Sequence, residues 1–259
     1  MNSRYYKHYI ALQTVLFKEI VRFARIWSQT LLPPAITMTL YFIIFGKLIG
    51  TQIGNIGHYT YMQYIVPGLI MMAIITSAYA NTSSSFFGTK FSKSIEEMLV
   101  SSMPGYIILL GYMLGGALRG IVVGAIVLLI ACLFTHIHIQ HIGLVVTMAI
   151  LSSMLFSLGG FINAIFAKKF DDIAFIPTFV LTPLTYLGGV FYSIQQLPDP
   201  WRTLSKINPI LNMVDTFRYG MLGISDINIY FGLSLVLSLF ILLFIWCLVL
   251  LQKGIGLRS

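Results

Sequence analysis

Six stretches of this chain, at residues 30–49, 61–80, 107–135, 142–167, 173–192 and 230–251, are nearly free of charge and reach the roughly 20 apolar residues that a helix needs to cross a bilayer. No other feature constrains the fold so tightly. Backbone polar groups in hydrocarbon must be satisfied within the segment, so a run of this kind is helical. Charged residues make up only 9% of the chain, against about 25% in a soluble domain, too few to cover a water-exposed surface. The expected fold class is therefore all-α integral membrane, with six transmembrane helices in a single domain, 1–259. The third and fourth stretches are long enough to tilt. No linker rich in Pro, Ser or charge divides the chain, and no repeat of fixed period stands out.

The net charge is +8. Its distribution points to topology rather than nucleic acid. Arg4, Lys7, Lys18, Arg22 and Arg25 precede the first stretch, Lys90 and Lys93 follow the second, Lys168 and Lys169 follow the fourth, and Lys253 and Arg258 follow the sixth. Those 11 residues fall on one side, and Lys47, Arg202, Lys206 and Arg218 on the other. Lys and Arg accumulate on the cytoplasmic side, so both termini are expected in the cytoplasm. Residues 1–28 read as an amphipathic interfacial helix. Leu12, Leu16, Ile20, Phe23 and Trp27 recur at helical spacing, with Lys18, Arg22 and Arg25 on another face turned to the headgroups. It reads as a topology-setting anchor, and the same helix is also placed to brace a cytoplasmic partner. No small-residue cleavage site follows the first apolar run, so it is not read as a signal peptide.

Between the second and third stretches lies a charged island, FSKSIEEMLVSSMP, at 91–104. It places Glu96 and Glu97 side by side in a chain with 8 acidic residues. Ser94 and Glu97 have capping-box spacing, both glutamates fall in the first turn where the helix dipole favours them, and Pro104 limits continuation. A helix of about two turns is marginal alone in water, so the face carrying Ile95, Met98 and Leu99 must be covered. The N-terminal helix can cover it, and so can a separate protein; spacing leaves both open.

Gly111, Gly115, Gly116, Gly120 and Gly124 align small residues on the third stretch for close helix packing. Arg119, in the same run, faces protein or water. Pairing with backbone carbonyls is its simpler reading, and contact with an anionic substrate group the sharper one. On the far side, Asn208 and Pro209 start a helix as cap and first residue. Asp215 and Arg218 can pair along it, Gly223 can close it, and its apolar spacing makes it amphipathic, either re-entrant or lying in the outer leaflet. Pro177, Pro183, Gly188 and Gly189 predict a kink or break in the fifth stretch. His136, His138 and His141 share a short loop without Cys or acid and read as a polar turn; no metal site and no catalytic constellation are expected. Cys132 and Cys247 read as small hydrophobes within apolar runs.

Two absences bear on energy coupling. The six stretches contain no Asp or Glu, which argues against the ionisable relays of ion-coupled carriers. No G-x-x-x-x-G-K-[ST] loop is present to cradle ATP phosphates.

The order of parts resembles the membrane subunit of an ABC-2 type transporter, the export permease class, over essentially the whole chain, and is closest to the YadH-like permeases of Gram-negative bacteria. SIEEMLVSSMP at 94–104 is similar to that family's cytoplasmic coupling stretch. TPLTYLGGVFYSIQQLP at 182–198 and INPILNMVDTFRYGMLG at 207–223 resemble its Gly-Val-Phe segment, Asn-Pro and downstream Arg. Ser101 and Ser102 stand before a proline that comes earlier in many members, and Ser193 stands where many have Pro. The resemblance implies a bacterial inner-membrane permease in two copies, paired with two copies of a separate ATPase that binds the ATP and Mg²⁺; no cofactor is expected in this chain. It assigns Ser94, Ile95, Glu96, Glu97, Met98 and Leu99 to ATPase docking, Lys18, Arg22 and Arg25 to a brace, and Asn208, Pro209, Asp215 and Arg218 to an external gate helix. The alternatives are an ion-coupled carrier and, less favoured, a membrane-bound lipid or glycan transferase using Asp199, Asp215, Asp226 and the histidines.

Overall fold

The computed structural model describes residues 3–100 and 103–256. Ser101, Ser102 and Arg258, and the side chains of Arg4 and Leu99, lie outside the described residues. The described chain is helical apart from turns and one small hairpin. Helix α1 is Ser3–Arg25. Three helices, α2 (Trp27–Thr30), α3 (Leu32–Tyr41) and α4 (Gly50–Ile53), join through a wider π-helical turn, Phe42–Ile49, into one continuous stretch, Trp27–Ile53. Pro33 and Pro34 sit in the first turn of α3, where a missing N–H costs no intrahelical bond. Gly54, at φ +78°, turns the chain into the hairpin of β1 (Asn55–Ile56) and β2 (Tyr59–Thr60). Thr60 and Gln63 then cap helix α5 (Tyr61–Phe91) reciprocally.

Helix α5 is the axis of the molecule and is buried on almost every face, its N-terminal half by apolar packing and its C-terminal half with buried hydroxyl and amide side chains. Helices α7 (Gly105–Phe134) and α8 (Ile142–Phe166) flank it. The close approach rests on glycine. A Cβ at Gly120 would stand 2.9 Å from the carbonyl oxygen of Ile74, and one at Gly160 would meet the carbonyl of Tyr79. The predicted small-residue faces of α7 are thus real contact faces, and they divide. Gly116, Gly120 and Gly124 receive α5, whereas Gly111 and Gly115 receive α1. Hydroxyls buried at these seams pair across them, as Thr82 and Ser157 do at 2.6 Å. Between α5 and α7 lies α6 (Ser94–Val100), and α13 (Ile229–Lys253) closes the chain.

Five stretches among the described residues are long and apolar enough to cross a membrane: Trp27–Ile53, α5, α7, α8 and α13. The fifth expected span, 173–192, is not a continuous helix of that length. It consists of α9 (Phe170–Ile176), a π-helical turn (Pro177–Leu181) and α10 (Thr182–Tyr186). Pro177 and Pro183 each remove a backbone donor, and Gly189, at φ +66°, reverses the chain. A 3₁₀ turn at Ile194–Gln196, α11 (Asp199–Ile207) and α12 (Pro209–Leu222) follow.

Helix α12 corrects a second expectation. It is not amphipathic in its setting: α5, α8 and α13 cover it, and nearly every residue from Ile210 to Leu222 is buried. Its polar residues are accommodated because each finds a partner inside. Asn208 caps it by accepting from the Ile210 N–H, and Gly223 closes it in the left-handed conformation, as their spacing predicts.

Candidate functional site

Helix α6 is seven residues long, too short to persist without tertiary support. That support comes from within the chain. Ile95 is 1% exposed. It belongs to an apolar cluster that also holds Val15 of α1, Phe87 of α5 and Ile108 of α7, against which Met98 is half-buried. The contacts of α6 run chiefly to α5. Glu96 and Glu97 are exposed and lie in the first turn. Ser94 is the first helical residue rather than a residue outside the helix. The Glu96 N–H donates to the Lys93 carbonyl, the Ser94 hydroxyl pairs with that of Ser92 at 2.8 Å, and Lys93 carries the turn at φ +58°. The helix therefore offers two carboxylates outward on a base that buried Ile95 helps to hold.

Helix α1 is docked differently from its predicted pattern. The stripe facing the bundle runs through Val15, Glu19 and Phe23, at 3%, 0% and 6% exposure; Trp27 and Phe17 are exposed. The cause lies in α7. Val15 sits on Gly111 and Glu19 on Gly115, where a Cβ would come within 2.6 Å of the Glu19 Cβ. Helix α5 supplies the polar complement. Ser85 Oγ donates to Glu19 Oε1 at 2.6 Å. Arg22 reaches Glu19 at 3.4 Å and donates to Asn81 Oδ1 at 2.8 Å and to the Asn81 carbonyl at 3.1 Å. Arg119 completes the cluster, with Asn81 Oδ1 at 3.5 Å and the Thr30 carbonyl at 3.3 Å, so it pairs with oxygen from side chain and backbone.

Of the predicted brace residues, Lys18 lies 3.4 Å from the Tyr112 hydroxyl and 3.5 Å from that of Thr89. Arg22 is tied inward, and Arg25 stays exposed. Arg22 thus points into the protein rather than at headgroups. Glu19, Asn81 and Ser85 were not singled out from sequence. Glu19 had one usable signal, its i, i+4 spacing between Val15 and Phe23. The six apolar stretches hold no acid, yet a helix outside them delivers Glu19 to the bundle.

At the opposite end, Arg218 and Asp215 pair at 3.7 Å, both buried. Arg218 also donates to the Gly189 carbonyl at 2.5 Å and lies 4.1 Å from the Tyr64 ring centroid. Asp215 accepts from Ser225 and from the backbone N–H groups of Asp226 and Ile227. The pair locks the break after α10 to the loop that leads into α13. Around it, Gln140 bonds Tyr59 and the Leu222 carbonyl. His141 stacks on Tyr219, and His136 offers its carbonyl to Gln63. Among the described residues no three His, Cys, Asp or Glu side chains converge as a metal site.

Residues 10–222 match a family model described as ABC-2 type transporter. The chain is similar to the inner membrane transport permease YadH of Escherichia coli strain K12, with 52% identity over 252 residues, covering 97% of this chain and 98% of that one. It is also similar to nodulation protein J of Rhizobium leguminosarum bv. trifolii, with 24% identity and 71% of each chain covered. For nodulation protein J of Neorhizobium galegae the figures are 23% identity, with 78% of this chain and 79% of that one covered.

Proposed function

The chain belongs to the ABC-2 type transporter family, and from that premise we propose that it is the permease of a bacterial inner-membrane exporter, driven by a separate ATPase that docks on α6. The inner membrane is taken from the printed name of the Escherichia coli relative. The observation that carries the docking reading is the build of α6. It is a seven-residue helix in which Ile95, fully buried, anchors it to the bundle while Glu96 and Glu97 face out. A short helix rooted this way moves as one piece with α5. A push on its outer face passes through Ile95 to Phe87 and Ile108, and so to α5 and α7. The Glu19, Arg22 and Asn81 cluster makes α1 follow.

In this reading both termini and α6 are cytoplasmic, α9 and α10 form a sixth crossing that is broken at its outer end, and two copies of the chain enclose the pathway. Helix α5 supports such a pathway. It leaves Ala80 and Ser84 exposed where other exposed faces of the bundle carry Leu, Ile and Phe. ATP and Mg²⁺ belong to the partner, since no phosphate loop occurs in this chain. The Asp215–Arg218 lock holds the outer end, where α12 acts as the gate.

The test is co-purification of the ATPase with the wild-type permease and with Glu96→Arg combined with Glu97→Arg. The expected outcome is loss of most of the ATPase with the permease melting point unchanged. Full recovery of the ATPase removes α6 as its dock. Buried Glu19 and Asp215 are what favours an ion-coupled carrier; transport that survives an inactive ATPase and stops with an uncoupler would favour that reading instead.

A further inference from the structure

The ends of α5 and α8 and the turn at Gly256 enclose a pocket of about 470 Å³ that neither α6 nor α1 fills. Its wall combines Phe87, Phe91 and Phe166 with Lys90, Lys93 and Lys168. Lys90 is committed to structure. Its ammonium donates to the carbonyls of Ile165 at 2.6 Å and Ala167 at 2.8 Å, at the negative end of α8. Lys93 and Lys168 are exposed and have no ion-pair partner within 4.0 Å among the described residues. Two acids follow along the chain: Asp171 is exposed and pairs with neither lysine within 4.0 Å among the described residues, and Asp172 turns its carboxylate to the backbone N–H groups of Lys168 and Lys169. Among the described residues the lining contains no acid.

We infer that this pocket binds the phosphate headgroup of an anionic phospholipid, with Lys93 and Lys168 as its ligands and the phenyl rings holding the start of an acyl chain. The inference rests on the cytoplasmic placement proposed for α6. A lipid is favoured over an acidic peptide by the surroundings. Phe91, Phe166 and Phe170 are 65%, 52% and 59% exposed at this end of the bundle. A peptide carboxylate would satisfy the lysines and leave the rings in water, whereas a phospholipid covers both. Basic pockets between membrane helices on the cytoplasmic side suit such headgroups. Lys93 also forms the joint between α5 and α6, at φ +58°, so a headgroup held there steadies the base of the docking helix.

Each lysine near an anionic lipid surface contributes about 1 kcal/mol, roughly a fivefold change in affinity. Native mass spectrometry of the purified full-length permease tests this, after exchange into phosphatidylglycerol or phosphatidylcholine. Wild type is expected to retain phosphatidylglycerol selectively. Lys93→Ala with Lys168→Ala is expected to weaken retention roughly 25-fold, and Lys93→Arg with Lys168→Arg to keep it, which separates loss of charge from misfolding. Equal retention of the two lipids, or unchanged retention in the alanine variant, overturns the site. Competition by soluble glycerophosphate at the same concentration overturns the lipid as the source of the phosphate. Labelling of Lys93→Cys in spheroplasts and inverted vesicles reports the sidedness independently, so a failure of topology is told apart from a failure of the pocket.

Discussion

Replacing Glu19 by alanine should undock α1 without unfolding the bundle. The carboxylate is fully buried and accepts from Ser85 at 2.6 Å; a hydrogen bond to a charged acceptor is worth about 1.5–3 kcal/mol. The pair with Arg22 is longer, at 3.4 Å, and Arg22 keeps 28% exposure and its two bonds to Asn81. It can rehydrate, so the ion pair adds no more than about 1 kcal/mol. The stem that rests on Gly115 leaves only a small cavity. The expected cost is about 3 kcal/mol, the lower end of the range for removing one member of a buried pair. Glu19→Gln keeps the shape and an acceptor for Ser85, and should cost about 1 kcal/mol. Hydrogen exchange of the α1 amides in detergent reads the difference directly. Opening of α1 should be on the order of 100-fold more frequent in Glu19→Ala and about fivefold in Glu19→Gln, with α5 and α7 unchanged. Unaltered α1 protection in the alanine variant would refute the docking role. Equal loss in both variants would show that the charge, not the Ser85 bond, carries it.

Two further outcomes follow from the seams. Gly160→Ala places a Cβ against the Tyr79 carbonyl, backbone that cannot step aside, and should cost about 1–3 kcal/mol through separation of α5 from α8, seen as a lower thermal midpoint in detergent. Arg218→Ala strips the Gly189 carbonyl and the Tyr64 ring of their partner and should cost about 3 kcal/mol; Arg218→Lys should recover part of this, and a full recovery would argue against the guanidinium geometry.

Much of the fold is legible in the order of residues because membrane physics is local. A bilayer demands about 20 apolar residues per crossing, so α5, α7, α8 and α13 stand out from hydropathy alone. The ends of α12 are equally local: an Asn at the cap, Pro after it and Gly at the close act within one turn of themselves. Where a second segment supplies the partner, that transparency ends. Helix α12 shows helical apolar spacing, yet its Asn212, Asp215, Thr216 and Arg218 are buried, because three neighbours surround it and the loop at 225–227 brings hydrogen bonds to Asp215. Nothing within the window 209–222 announces those neighbours.

The same division runs through the candidate site. That α6 is short, doubly acidic at its start and unable to stand alone follows from the order of residues, since length and charge position are properties of the segment. What it leans on depends on distant helices, which seat Ile95 in the cluster with Phe87 and Ile108. They likewise turn α1 so that Glu19 and Arg22 face inward. Gly115 opens a notch on one helix, Ser85 and Asn81 present hydrogen-bonding groups on another, and a buried charge settles where partners from distant parts of the chain meet.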